Sequence, residues 1–186
     1  MTALDLQKTR HGAPLDPEPA RRRVRLDHVL DGACEVINAC GVTARPLATV
    51  AERLGLTRAA LYYYVRDRED LVFQVYMRTC ELLLRALDAA EAGGGDALEM
   101  IRRFVATALD PDGPSLSALN EVGLLREDDR RVLTDTFGRL IRRLADRLAA
   151  GAAAGQVRAC DFDAAARTVV SLVTAIPPQE VWEADL

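Results

Sequence analysis

The sequence predicts an all-α protein, in which a compact N-terminal unit of three short helices is joined through a long helix to a larger helical bundle. Apolar residues recur every three or four positions in nearly every segment after residue 20, which is the period of an α-helix. No segment alternates apolar and polar residues over the length of a useful strand. About half of the 186 residues are apolar, so the chain can bury a substantial core.

The chain begins with a segment that we expect to be a flexible arm. Residues 1–20 contain three prolines and little periodic hydrophobicity. A first helix is predicted in LDHVLDGACEVINACG, which ends at Gly41. Its apolar face consists of Val29, Ala33, Val36, Ile37 and Cys40.

Two short helices and one long helix follow closely. The second is predicted to start at Pro46, because proline suits a first helical turn, and to end at Gly55. The third begins after Thr57, an acceptable N-cap, and the fourth begins near Asp67 and continues to the glycines at 93–95. Further helices are predicted at about 97–109, capped by Asp96, and at 116–125, 129–150 and 162–176.

Charge is distributed unevenly along the chain. Residues 1–68 contain 11 Lys/Arg and 8 Asp/Glu, a net charge of +3, whereas residues 69–186 contain 13 and 20, a net charge of −7. The run RRRVR at residues 21–25 suits a polyanion or, alternatively, is a solubilising tail. The sequence has no run of 18 apolar residues and no apolar secretory signal, so we expect a cytoplasmic protein without a membrane partner.

Cysteines and histidines do not form a pattern typical of a metal or catalytic site. Cys34, Cys40, Cys80 and Cys160 contain no C-x-x-C pair and are predicted to be small buried hydrophobic residues. Two histidines and scattered carboxylates do not assemble a nucleophile, a base and a metal cluster. We therefore expect no cofactor, no metal and no enzymatic activity.

The second and third helices have the spacing of a helix-turn-helix. Ala51 is small where the helices would cross, Gly55 supplies the turn, and Leu61 fills the shared core. If Leu61 points inward, Tyr62 and Tyr63 lie about 100° and 200° around the helix and face outward. Tyr64 would then lie at the flank, and Val65 returns to the core.

Residues 26–71 resemble the TetR-type transcriptional regulators. The stretch VAERLGLTRAALYYYVRDREDL, Val50 to Leu71, matches the family's usual pattern nearly position for position. The resemblance implies a DNA-binding domain at residues 21–71 and a C-terminal ligand-binding and dimerisation domain at residues 72–186. The chain departs from the pattern at Val65, at the pair Ala59 and Ala60, and at Arg45, where a threonine often starts the second helix.

The resemblance also implies which residues contact DNA. Thr57, Arg58 and Ala59 open the recognition helix, whose first residues reach base edges most easily, and Arg58 suits guanine. Arg68 would bind a phosphate at the start of the fourth helix. The candidate DNA-binding residues are Arg45, Thr57, Arg58, Ala59, Tyr62, Tyr63, Tyr64 and Arg68.

TetR-type regulators typically hold an inducer among the central helices and dimerise through their last two long helices. Large or adaptable residues that could line such a pocket, or could equally be plain core, are Tyr76, Cys80, Leu83, Met100, Phe104, Leu119 and Phe137. The scarcity of central charges favours a largely apolar small molecule. Apolar stripes on the last two helices, from Leu133 to Leu148 and from Phe162 to Val173, suit either a dimer interface or the core.

The sequence thus predicts a homodimeric repressor that binds a palindromic operator and is released by a small ligand. The alternative is a helical protein-interaction module that docks through its tyrosine-rich helix.

Overall fold

The computed structural model describes residues 17–42 and 46–175, with side chains from residue 25 onward except at Pro46. All regular elements in these ranges are helical, which confirms the all-α prediction. They comprise seven α-helices and one 3₁₀ turn at Val122–Leu124. The α-helices are α1 (Pro17–Cys40), α2 (Pro46–Arg53), α3 (Arg58–Tyr62), α4 (Arg68–Ala92), α5 (Ala97–Ala108), α6 (Glu127–Ala153) and α7 (Phe162–Ala175).

Helix α1 begins earlier than the sequence predicts. It starts at Pro17 rather than after residue 20, because proline suits a first helical turn and the following Glu, Ala and Arg residues favour helix. The remainder of the predicted arm, residues 1–16, lies outside the described residues. The starts of α2, α3, α4 and α5 agree with the predictions, with Thr57, Asp67 and Asp96 as N-caps of the last three.

The predicted helix at 116–125 is wrong. Only the 3₁₀ turn forms in this range, because side chains from α1 and α4 satisfy its backbone groups. The amide of Asn38 donates to the Leu116 carbonyl at 2.8 Å, and the backbone N–H of Ser117 donates to Thr79 Oγ1 at 3.0 Å. Residues 115–126, which we call the strap, therefore bridge the two helices as an irregular segment.

Two hydrophobic cores share the long helix α4. The first contains α1, α2, α3 and the N-terminal half of α4, together with Leu125 and Leu133 from much later in the chain. The second contains the C-terminal half of α4 with α5, α6 and α7. Helix α4 thus passes from the core of the N-terminal unit into the core of the bundle.

Helices α6 and α7 pack against one another in the bundle. Helix α6 starts two residues before its predicted start and ends three residues after its predicted end. Leu140, Leu144 and Val170 of the predicted stripes are fully buried within the chain. No helix in the described part of the chain is long and apolar enough to cross a membrane.

Candidate nucleic-acid interface

The turn between α2 and α3 is closed by a glycine in the left-handed region. Gly55 has φ +62°, and its N–H donates to the Glu52 carbonyl at 3.1 Å, while Leu56 N–H donates to the Ala51 carbonyl at 2.8 Å. This pair of bonds forms a Schellman motif. Ala51 is buried where the helices meet, as the spacing predicts.

Helix α3 is capped at its start and anchored by one side chain. Thr57 Oγ1 accepts the N–H of Ala60 at 3.1 Å, and Leu61 is 1% exposed in the first core. Thr57, Arg58 and Ala59 are all exposed. The first turn of α3 is thus rigidly held and accessible from outside the protein.

The tyrosine triplet is arranged as the helical geometry predicts. Tyr62 and Tyr63 are 54% and 64% exposed, whereas Val65 is buried. Tyr64 is half-buried against the first core, and its ring meets the ring of Tyr63 edge-on with centroids 5.2 Å apart. Two large aromatic side chains therefore project from the same short helix as Arg58.

A buried carboxylate fixes the turn between α3 and α4. Asp70 is 6% exposed and accepts the backbone N–H of Arg66 at 2.7 Å and the Arg66 guanidinium at 3.1 Å. Gln74 donates to the same carboxylate at 3.1 Å. The hydrogen bond that Arg66 donates to the Asp70 carboxylate, followed by the Coulombic attraction between the two groups, raises the pKa of Arg66. Arg66 therefore remains fully charged beside α3.

The N-terminus of α4 follows this turn directly. Asp67 Oδ1 accepts the N–H of Asp70 at 2.9 Å, which caps the helix, and Arg68 is its first residue. That hydrogen bond, together with the guanidinium of Arg126, lowers the pKa of Asp67. Arg68 is half-buried at the positive end of the helix dipole, where an anion would be stabilised.

Seven of the eight predicted DNA-binding residues lie in one continuous segment, from the Thr57 cap through α3 and the following turn to Arg68 at the start of α4. Arg45, the eighth, lies outside the described residues. Sequence reasoning did not select Arg66 or Arg126, which pair with Asp70 and Asp67 of this turn. No local pattern marked Arg126, because the sequence predicts the start of α6 at residue 129.

The predicted effector-lining residues lie in the two cores. Five of them, Tyr76, Cys80, Leu83, Met100 and Phe104, are buried, and Leu119 and Phe137 are half-buried. A ligand bound among them would have to open space beside α4. Burial raises the pKa of Tyr76, whose hydroxyl accepts the N–H of Glu121 at 3.4 Å.

Two open clefts lie elsewhere on the surface. One, of about 360 Å³, lies between the end of α4, the start of α5 and the end of α6, and Met100 lines it. The other, of about 610 Å³, separates α1 and α2 from the loop after α5 and is lined by Asp31, Glu35 and Arg53 among others. Both have charged walls, unlike the apolar pocket that the sequence predicts.

The cysteines divide into two classes. Cys34 and Cys80 are buried, as predicted, and burial raises the pKa of each thiol to about 12. The prediction is wrong for Cys40 and Cys160, which are exposed because they lie near the ends of elements where no neighbour covers them. Among the described residues no group of His, Cys, Asp and Glu is arranged to hold a metal ion.

Two family models match the chain, one ending within α4 and the other beginning in α5. The family model of the bacterial regulatory proteins of the tetR family matches residues 29–75. The C-terminal domain of AefR-like transcriptional repressors matches residues 98–177. The two matches together cover more than half of the chain, and Leu125 and Leu133 of the first core fall within the second match.

Individual relatives are distant. The HTH-type transcriptional regulator AcrR of Shigella flexneri is 26% identical over 84 residues, which are 45% of this chain and 39% of that protein. The match thus spans about two fifths of the curated relative.

Solved structures are similar over most of the chain. PfmR from Thermus thermophilus has a TM-score of 0.63 and 22% identity, covering 84% of this chain and 93% of its own. AibR, solved in complex with isovaleryl coenzyme A and operator DNA, has a TM-score of 0.67 and 19% identity, with 81% and 84% covered. At such identities the similarity establishes the fold.

Proposed function

The chain belongs to the TetR/AcrR family of transcriptional regulators, and from this we propose that it binds a palindromic operator as a homodimer, represses transcription there, and is released by a small, largely apolar ligand. Because its relatives are regulators, we propose no catalytic activity. Arg45 remains in the proposed interface on the resemblance alone.

The observation that carries the DNA-binding proposal is the exposed face of α3. Leu61 and Val65 anchor the helix and its following turn in the core, while Arg58, Tyr62 and Tyr63 project outward. A helix held in this way can enter the major groove with its first residues at base edges. In this arrangement Arg58 contacts guanine, and the tyrosine hydroxyls donate to phosphate oxygens.

Arg68 has a different role in the proposal. As the first residue of α4 it lies beside the unpaired N–H groups of a helix start, which together with its own charge favour a phosphate. A phosphate contact fixes the register of α3 on the duplex and carries no sequence information.

The homodimer follows from the size of the interface. One helix-turn-helix buries little surface, whereas two units spaced by one turn of DNA double the contacts and match a palindrome. Helices α6 and α7 expose Val132 and Leu172, which are 50% and 59% exposed in the single chain. We propose that the dimer interface lies on this outer surface of the bundle, because most of the two apolar stripes is already buried within the chain.

The ligand proposal rests on the path of α4. Its body carries Tyr76, Cys80 and Leu83, and its first residue is Arg68, so a ligand that displaces the body also displaces the DNA-binding end. AibR, which shares the fold, was solved with isovaleryl coenzyme A and operator DNA, and supports a regulator that takes both kinds of ligand. Reciprocity requires that operator DNA weaken ligand binding by the same factor as ligand weakens DNA binding.

Selection of random duplexes, followed by sequencing of those retained, tests the function. We expect a palindromic consensus and an affinity that falls steeply with salt, since phosphate contacts release counterions. A protein-interaction module would enrich no sequence, and its docking would hardly depend on salt.

Two substitutions distinguish the proposed roles of Arg58 and Arg68. Arg58→Ala should relax preference at one symmetric pair of positions, because a bidentate guanine contact contributes about 1–3 kcal/mol of discrimination. Arg68→Ala should weaken binding to all sequences and reduce the salt slope by about one per subunit. Arg102→Ala, which removes an exposed arginine from α5, is the matched control. An unchanged base preference in Arg58→Ala would remove Arg58 from direct readout.

A further inference from the structure

Arg126 occupies a position where its side chain does not help its own helix. It is the N-cap of α6, but its side chain makes no capping hydrogen bond. A helix start favours side-chain acceptors and negative charge, which Glu127, Asp128 and Asp129 supply in the next turn. A residue that departs from the local rule in this way is expected to serve another part of the molecule.

The guanidinium of Arg126 crosses to the DNA-binding end of α4. It lies 2.5 Å from Asp67 Oδ2 and 3.4 Å from Glu69 Oε2, whereas its nearest acidic contact within α6, Asp129 Oδ2, is 3.8 Å away. Asp67 uses its other oxygen to cap α4. The Asp67 carboxylate thus links the start of α6 to the N-cap of α4, immediately before Arg68.

The chain leading to Arg126 is anchored to α1, to α4 and in the first core. Leu125 is 5% exposed in the first core. Farther back in the strap, the Ser115 carbonyl accepts hydrogen bonds from Arg78 and Cys34, and Leu116 accepts one from Asn38. A displacement of the strap would therefore pull directly on Arg126.

The exposure of the ion pair argues against a role in stability. The side chains of Arg126, Asp67 and Glu69 are 42%, 44% and 40% exposed, and half-exposed pairs contribute little to folding. The same pair lies at the N-cap of α4, where α4 meets the turn from α3, and is therefore placed to hold the direction of that helix end.

We propose that Arg126 is a positioning residue for DNA binding: through Asp67 and Glu69 it holds the α3–α4 turn in the orientation in which α3 and Arg68 meet DNA. The Arg126 guanidinium thereby gives the start of α6 a second connection to the DNA-binding turn, in addition to the body of α4. The role in DNA binding rests on the function proposed above.

The variant Asp67→Asn distinguishes a positioning role of the Arg126–Asp67 pair from a direct effect of charge on the affinity for DNA. Asp67→Asn keeps a side-chain acceptor for the cap but loses the attraction to Arg126. Loss of a negative charge near DNA would by itself tighten binding. The positioning role instead requires that Asp67→Asn weaken operator binding, by roughly three- to tenfold, which lies within the roughly 2- to 30-fold range of mutations that disturb coupling.

Arg126→Gln should weaken binding by a similar factor, whereas Arg131→Gln is the matched control. Arg131 lies on the same helix, is 68% exposed and pairs only with Glu127 and Asp128 of that helix among the ion pairs of the described residues. It thus reports the effect of losing one positive charge. The double variant Arg126→Gln/Asp67→Asn should bind no more weakly than Arg126→Gln alone, and Arg126→Lys should stay within about threefold of the wild type.

Amide hydrogen exchange without DNA tests the contact independently of the proposed function. We expect faster exchange across residues 57–71 in Arg126→Gln than in Arg131→Gln, with melting temperatures within about 3 °C of the wild type. Unchanged exchange, or tighter operator binding by Asp67→Asn, overturns the proposal. A wild-type protein that retains no duplex overturns the proposed function and the DNA role of Arg126 together, while the exchange result still decides whether Arg126 holds the turn.

Discussion

Glu91 lies at the C-terminal end of α4 and joins this helix to α6. Its carboxylate accepts hydrogen bonds from Arg147 at 3.0 Å and from Arg143 at 2.7 Å, and its side chain is 19% exposed. The hydrogen bond from Arg147, followed by that from Arg143, lowers the pKa of Glu91 below its usual value of 4.5. Folding therefore favours the ionised form of this carboxyl group.

This lowered pKa predicts a pH-dependent contribution to stability. The ionised Glu91 carboxylate makes its full contribution to stability above pH 4.5, and this contribution is lost as the pH falls through the lower pKa of the folded state. Glu91→Gln should reduce the free energy of unfolding by about 1 kcal/mol at pH 7, and the difference from the wild type should shrink steadily below pH 4.5. Urea unfolding at several pH values measures this.

Glu81→Gln, at an exposed site on the same helix, is the control and should change little at any pH. A Glu91→Gln deficit that persists unchanged at pH 3 would contradict the role of the ionised carboxylate.

Side chains of the DNA-binding unit show what a sequence can predict about single residues. The positions of Tyr62 and Val65 follow from helical periodicity once Leu61 is placed in the core. The partner of Arg126 could not be predicted, because Asp67 lies 59 positions away and only the packing of the strap brings the two together. Local patterns determine which way a side chain points, whereas its long-range partner depends on the tertiary fold.

Helix α3 is only five residues long and cannot be stable on its own. Its position depends on the Thr57 cap, on Leu61 in the core and on the turn at Gly55. The left-handed conformation of Gly55 makes this turn sensitive to any added side chain, although nothing lies within 4 Å of the place where a Cβ would be.

Gly55→Ala should therefore destabilise the protein by about 1 kcal/mol through backbone strain alone. Gly123→Ala is a matched control, because that glycine also has open space around it but does not have a positive φ, and it should change stability by less than about 0.5 kcal/mol. Thermal unfolding of both variants measures the difference. Equal stability of the two would mean that the α2–α3 turn relaxes to accept a side chain.

The strap illustrates why one predicted helix failed. Its apolar residues have the spacing of a helix, but Pro114 precedes it and distant side chains occupy its backbone groups. The spacing of apolar residues can be read from the sequence, whereas hydrogen bonds to distant side chains cannot. The starts of α3, α4 and α5 agree with the predictions because their own capping residues, Thr57, Asp67 and Asp96, determine them.

The proposed homodimer predicts an effect of one surface leucine on assembly. Leu172→Glu should raise the dissociation constant of the dimer by at least about 30-fold, since an unpaired carboxylate buried in an interface costs about 2 kcal/mol or more. Sedimentation of the protein at several concentrations measures this. Leu98→Glu, at a leucine of α5 that is 45% exposed, should leave assembly unchanged. An unaltered dimer in Leu172→Glu would place the interface elsewhere.

The passage of α4 through both cores limits how this protein can be recombined with others. A chimera made by joining residues 17–71 to a foreign bundle would leave the first core without Val72, Val75, Leu125 and Leu133, all of which are buried in it. The smallest portable form of the DNA-binding unit therefore includes residues 72–80 and a surface that reproduces Leu125 and Leu133. A designer who wishes to make this unit respond to a chosen small molecule would redesign α5, α7 and the distal part of α6, and would keep Leu125 and Leu133 in the first core.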